Sequence, residues 1–170
     1  MAVTYEPLAT TTLTSGQTSV TFSSISGSYT DLVLVCSGYA STNGYSPRLQ
    51  FNNDTSTNYS FTNVGGNGTS ASSDRRSNQT FAFIGWLAAW DNSSSNISNN
   101  IVHIMNYSNT TTYKTILSRD NVASAAYPGT EALVAMWRST SAITSIKLLL
   151  DASATFQSGS TFTLYGIKAA

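Results

Sequence analysis

Apolar residues along this chain recur at every second position or in short runs, and turn-forming residues separate them at intervals of roughly 8–12 residues, the spacing of an all-β domain. The pattern predicts strands near Val3–Leu13, Gln17–Phe22, Asp31–Ser37, Pro47–Phe51, Asn58–Thr62, Gln79–Trp90, Asn100–Tyr107, Thr111–Arg119, Glu131–Arg138, Ile143–Leu150 and Thr161–Lys168. No segment carries a helical stripe. Asn121–Tyr127 has the alanines for one helical turn, and Pro128-Gly129 would end it at once. The linkers are built from turn formers, among them Ser26-Gly27-Ser28, Ser41-Thr42-Asn43-Gly44 and Gln157-Ser158-Gly159-Ser160. The longest loop is expected at Asn63–Asn78, whose glycines and serines have nothing to bury, so that it is either mobile or held by a neighbouring molecule.

Two strands depart from simple alternation. In Asp31–Ser37, Val33 and Val35 face one way while Leu32, Leu34 and Cys36 face the other. Phe81, Phe83 and Leu87 against Ile84, Trp86 and Trp90 repeat the arrangement. A two-sheet sandwich leaves its outer faces polar, so apolar residues on both faces call for a second cover, either a folded-over loop or another subunit.

Length fits this picture: 170 residues suit a single antiparallel β-sandwich over 1–170, with residues 1–14 as a first strand or an extended arm. Composition changes it further. Charged residues make up only 9% of the chain, against roughly 25% in an ordinary soluble domain, while Ser, Thr and Asn number 28, 24 and 14. Neutral hydroxyls and amides do the solvating, the profile of a displayed, self-associating β protein. Eight basic and eight acidic residues cancel, which leaves no electrostatic footprint for nucleic acid or for an anionic membrane. The N-terminus has no basic start and no apolar signal segment, and no stretch approaches the roughly 20 apolar residues of a membrane span. Cys36, the single cysteine, is expected as a small buried hydrophobe. Eight Asn-x-Ser/Thr sequons, from Asn53 to Asn109, follow from composition.

Nothing announces a reaction. The single histidine, His103, rules out His-rich metal sites and stands in an apolar strand with Ile101 and Met105 on its face. The nucleophile-elbow pattern Gly-x-Ser-x-Gly does not occur. Glu6 and Glu131 are far apart in sequence, Asn52-Asn53-Asp54 and Asp91-Asn92 lack the spacing of a calcium loop, and Gly65–Gly68 lacks the Lys-Ser/Thr of a phosphate cradle. We therefore expect a non-enzymatic protein with no cofactor and no metal. The remaining candidates are aromatic: Tyr39, Tyr45, Tyr59 and Trp90 border turns rich in amides, and such rings either stack on a sugar or pack at sheet ends.

The segments Val3–Thr12 with Ser19–Ile25, Tyr29–Val35, Asn106–Thr115, Trp137–Ile143 and Phe162–Lys168 span almost the whole chain. On them the chain resembles a group of small structural virion proteins of tailed bacteriophages, many of them marine or cyanobacterial. The resemblance implies a jelly-roll-like β-sandwich that forms a homotrimer, is made in the host cytoplasm and resides in the virion, where it decorates the capsid or forms part of a fibre. It carries over no functional residue. Two readings follow: a capsid decoration, cement or short head-fibre protein whose partners are itself and other virion proteins, or a tail module that binds a receptor or host glycan. For the first, the candidate subunit or capsid contacts are Val3, Tyr5, Val33, Val35, Phe81, Phe83 and Trp86; for the second, the candidate ligand contacts are Tyr39, Tyr45, Tyr59 and Trp90.

Overall fold

The computed structural model describes residues 4–85, 90–122, 124, 129–151 and 154–168. Among these residues twelve strands occur and no helix: β1 (Tyr5–Thr12), β2 (Ser19–Phe22), β3 (Asp31–Gly38), β4 (Arg48–Phe51), β5 (Tyr59–Gly66), β6 (Ala71–Gln79), β7 (Ala82–Phe83), β8 (Ser98–Met105), β9 (Lys114–Val122), β10 (Gly129–Trp137), β11 (Ile146–Leu149) and β12 (Thr161–Ile167). They form an antiparallel sandwich of two sheets, an eight-stranded one ordered β1-β12-β3-β8-β9-β10-β5-β6 and a four-stranded one ordered β2-β11-β4-β7.

The period of two decides which side chains meet between the sheets. Val20, Phe22, Leu49, Phe51, Ile146 and Leu148 come from the small sheet; Leu32, Leu34, Cys36, Val102, Ile104, Ile116, Leu133, Phe162 and Leu164 come from the large one, and all are buried. Two aromatic groups close the ends of this core. Phe51, Tyr59 and Trp137 pack with centroids 5.5–6.3 Å apart, and Trp90, Phe156 and Phe162 do so at 4.9–6.2 Å. Burial drives the Cys36 thiol well above its ordinary range, so it is inert as a nucleophile. Lys114 is also buried; its ammonium donates to the carbonyls of Thr112 (2.8 Å) and Thr140 (3.2 Å), tying two loops together.

Two sequence expectations are corrected, and two more bear on the ends of strands. The loop expected at Asn63–Asn78 is mostly the β5–β6 hairpin: β5 runs on to Gly66 and pairs with β6 from Tyr59↔Gln79 to Gly66↔Ala71. β6 escaped the pattern because it is an edge strand with almost no buried face, so its sequence has no alternation to read. The long strand expected at Gln79–Trp90 shrinks to Ala82–Phe83, paired with β4, and residues 86–89 lie outside the described ones. Residues 1–14 take the first-strand alternative in their described part: β1 is hydrogen-bonded to β12 from Tyr5↔Ile167 to Thr12↔Thr161, with a bulge between Pro7 and Ala9 that lets Leu8 pack against the core. The helical turn at Asn121–Tyr127 starts inside β9, and most of its remainder falls outside the described residues.

The outer face of the doubly apolar β3 is partly covered within the chain. Val33, on its outer face, is 4% exposed because the cross-strand neighbours Tyr165 and His103 flank it.

Candidate functional site

Alternation along β8, β9, β10 and β5 sends Ile101, His103 and Met105, Leu117 and Arg119, Ala132, Val134 and Met136, and Thr62 and Val64 away from the core. Antiparallel register then lines these residues up across the sheet. One row runs from edge to edge through Pro7, Tyr165, Val33, His103, Leu117, Val134, Thr62 and Arg75. The next row runs through Thr163, Val35, Ile101, Arg119, Ala132, Val64 and Ser73. The middle of this outer face is therefore aliphatic where a sandwich normally presents polar groups to water. Val64 is 59%, Val134 49%, Leu117 39%, Ile101 38% and Met105 37% exposed. This exposed apolar surface makes the outer face a candidate contact site.

The face is furrowed. One depression of about 690 Å³ is lined by residues that include His103, Leu117, Arg119, Ala132, Val134 and Val64. A second, of about 740 Å³, is lined by residues that include Val134, Met136, Thr62, Arg75 and Arg76. They share Thr62 and Val134 and so form one furrow from β8 to the β6 edge. His103 has aliphatic cross-strand neighbours, Val33 and Leu117, and no carboxylate or nucleophile beside it in its row.

A second polar constellation lies between the sheets. Asn100, Asp120 and Glu131 stand side by side on the inner faces of β8, β9 and β10 and are buried. The Asn100 amide donates to the Ile84 carbonyl (2.9 Å) and accepts from the Trp90 indole N–H (2.8 Å); Asn63 donates to Glu131 (3.0 Å). Burial and the neighbouring Glu131 carboxylate push the Asp120 carboxyl up to about 9, so it holds a proton at neutral pH and shares a hydrogen bond with Glu131. Gly85 lies directly against this carboxyl, where any side chain would collide with Asp120. Both carboxyl groups are buried, Asp120 at 6% and Glu131 at 5% exposure. Sequence reading missed it although Asp120 and Glu131 occupy the buried phase of alternations set by Ile116 and Val122 and by Leu133 and Ala135.

The residues singled out from sequence do not converge. Phe83 is in the core, in edge contact with Phe61 and Phe81, and Val33 is buried as described, so neither offers a contact surface. Phe81 is half-buried beneath the Arg48 guanidinium, 3.9 Å from its ring, while Arg48 itself pairs with Asp151. Tyr5 and Val35 do belong to the outer face, Tyr5 exposed at the β1 edge and Val35 half-buried beside Ile101. Val3 and Trp86 lie outside the described residues. Of the ring candidates, Tyr59 and Trp90 are fully buried: the Tyr59 hydroxyl donates to the Asp54 carbonyl (3.1 Å), and the Trp90 indole is committed to Asn100. Neither can stack on a ligand. Tyr39 and Tyr45 are half-buried in one loop. The oxygen-rich turns are used internally as well. Asp54 accepts from Ser56 N–H, Asn58 and the Trp137 indole, and Asp91 accepts from Asn92 and Ser93 N–H and from Asn96; among the described residues no three His, Cys, Asp or Glu side chains group to hold a metal.

No family model matches the chain, and no curated protein does. Among solved structures it is similar to the galectin LEC-6 of Caenorhabditis elegans (10% identity, 91% of this chain and 94% of that one, TM-score 0.38). It is also similar to the marine PL-14 alginate lyase from Aplysia kurodai (10%, 84% and 72%, 0.34) and to domains LG4-5 of the mouse laminin alpha1 chain (16%, 91% and 40%, 0.35). Likeness this slight carries neither residues nor activities across.

Proposed function

We propose that this chain is a non-enzymatic structural protein of a phage virion, a capsid decoration or short head-fibre protein that works by adhering to other virion proteins. The observation that carries the reading is the aliphatic outer face of the larger sheet, which has the character of a contact surface and lies on rigid central strands. The sequence resemblance supports the setting. The rings available to a sugar-binding module support the alternative poorly, since Tyr59 and Trp90 are structural. Self-association into a homotrimer is the second half of the proposal and rests on the resemblance.

Mass spectrometry of separated heads and tails, from particles of the virus that encodes the chain, tests the setting. The chain is expected in the head fraction; its absence from both fractions overturns the proposal, and its presence in tails alone, with binding to host glycans, establishes the tail module instead. Light scattering on the purified protein tests the trimer, and a monomer mass at micromolar concentration refutes it.

A further inference from the structure

We infer that the furrow across β8–β9–β10–β5–β6 receives an apolar, carboxylate-bearing segment of a different protein, and not a second copy of this chain. The inference deepens the adhesive reading of that face and rests on it. Its first ground is the balance of charges. All eight acidic residues are described, and each is engaged within the chain. Glu6 pairs with Lys168, Asp74 with Arg76 and Asp151 with Arg48. Asp31 accepts the Asn106 N–H at 2.6 Å, Asp54 and Asp91 close their own turns, and Asp120 and Glu131 are buried together. Among the basic residues, two guanidiniums have no partner in the described residues, Arg75 and Arg119, and both stand on the outer face of the large sheet in the two rows described above.

Three strand spacings and two residues along the strand separate Arg75 from Arg119, so their Cα atoms lie roughly 16 Å apart, with Val134, Thr62, Ala132 and Val64 between them. The surface thus asks for carboxylates flanking aliphatic side chains. Among the described residues a second copy has no acidic side chain without a partner to give. Area points the same way. In plan the patch measures on the order of 300 Å² from strand and residue spacings, well short of the roughly 800 Å² per partner of a standard interface. That size suits a single extended segment. A sugar is disfavoured because no Phe, Tyr or Trp from the central strands lines the depression between His103 and Val64, and the groups between the two arginines are mainly aliphatic.

The test uses the full chain and three synthetic peptides of about ten residues, each with a central stretch of Val and Thr flanked at both ends by Glu, Gln or Lys so that the end groups lie about 16 Å apart when extended, titrated with binding followed by backbone amide shifts. The Glu peptide should shift Thr62, Leu117 and Val134 and bind about tenfold more tightly than the Gln peptide, the yield of two exposed charge-assisted contacts. High salt should erase most of that advantage. The double variant Arg75→Gln, Arg119→Gln should remove the advantage and leave Gln-peptide binding unchanged; neither side chain has a partner among the described residues, and both are exposed, so the fold should persist. Val134→Thr should weaken both peptides. Equal binding of all three peptides, no binding, or an unchanged preference in the double variant overturns the inference. So does displacement of the Glu peptide by polyuronate at matched carboxylate concentration with tighter binding, which would make the ligand a polysaccharide. If the protein is a trimer and Val134→Thr dissociates it, the face belongs to a second copy: the adhesive reading then stands and this inference fails.

Discussion

Asp120 is a carboxyl group kept neutral by its surroundings, and that has a thermodynamic sign. Its folded value of about 9 lies far above the value near 4 of an unfolded aspartate. Between those limits the folded chain holds more protons than the unfolded one, so its stability falls as pH rises through this window. Urea unfolding at pH 5, 7 and 9 should show a falling midpoint, and Asp120→Asn, which keeps the shape and removes the ionisation, should flatten most of the slope. A slope unchanged in Asp120→Asn would mean that the proton is held elsewhere. Asparagine has a different task in this chain. Three sequon asparagines, Asn53, Asn78 and Asn106, hold φ of 55–56°, and Asn67 and Asn109 each accept the N–H and hydroxyl groups of the residues two and three ahead. What looks like a glycosylation pattern is largely turn chemistry.

The β5–β6 hairpin shows what such a turn achieves for an element. Asn67 closes it, with Gly68 at φ 88°, and β6 has little buried area to hold it in place. Asn67→Ala should cost about 1 kcal/mol and raise amide exchange in Ala71–Gln79 far more than in β8–β10; uniform exchange would show that β6 is held by its ladder alone. The same hairpin marks where sequence stops being informative. β8, β9 and β10 are apolar runs bounded by turn formers, so their positions could be read within a few residues even though their outer faces are aliphatic too. β6 has almost no buried face, and 79–90 divides into the end of β6, the two-residue β7 and residues 86–89 outside the described ones, which a period-two reading joins into one strand. The outer face was partly legible: Ile101, His103 and Met105 were seen to share a face, yet only the register shows that Leu117, Val134 and Val64 continue it. The charge balance was invisible, since a sequence counts eight acids without saying that all are occupied.

At the scale of the whole molecule the two ends of the described chain meet. β1 and β12 are antiparallel neighbours with Tyr5 opposite Ile167, and the Lys168 N–H donates to the Thr4 carbonyl at 3.1 Å. A force that enters at Thr4 and leaves at Lys168 therefore falls on one hydrogen bond at a time, like the slider of a zip, and not on the whole ladder in shear. Pulled by both ends in a single-molecule experiment, the domain should lose β1 first, in a low-force step of about nine residues before the sandwich ruptures; a single high-force event would contradict this. Gripped instead at its outer face, the same sandwich would pass load directly through β8, β9 and β10 and never pull on that weak seam. A protein that must stay on a particle under internal pressure or in flowing water would then bear tension across its breadth, with its ends left slack.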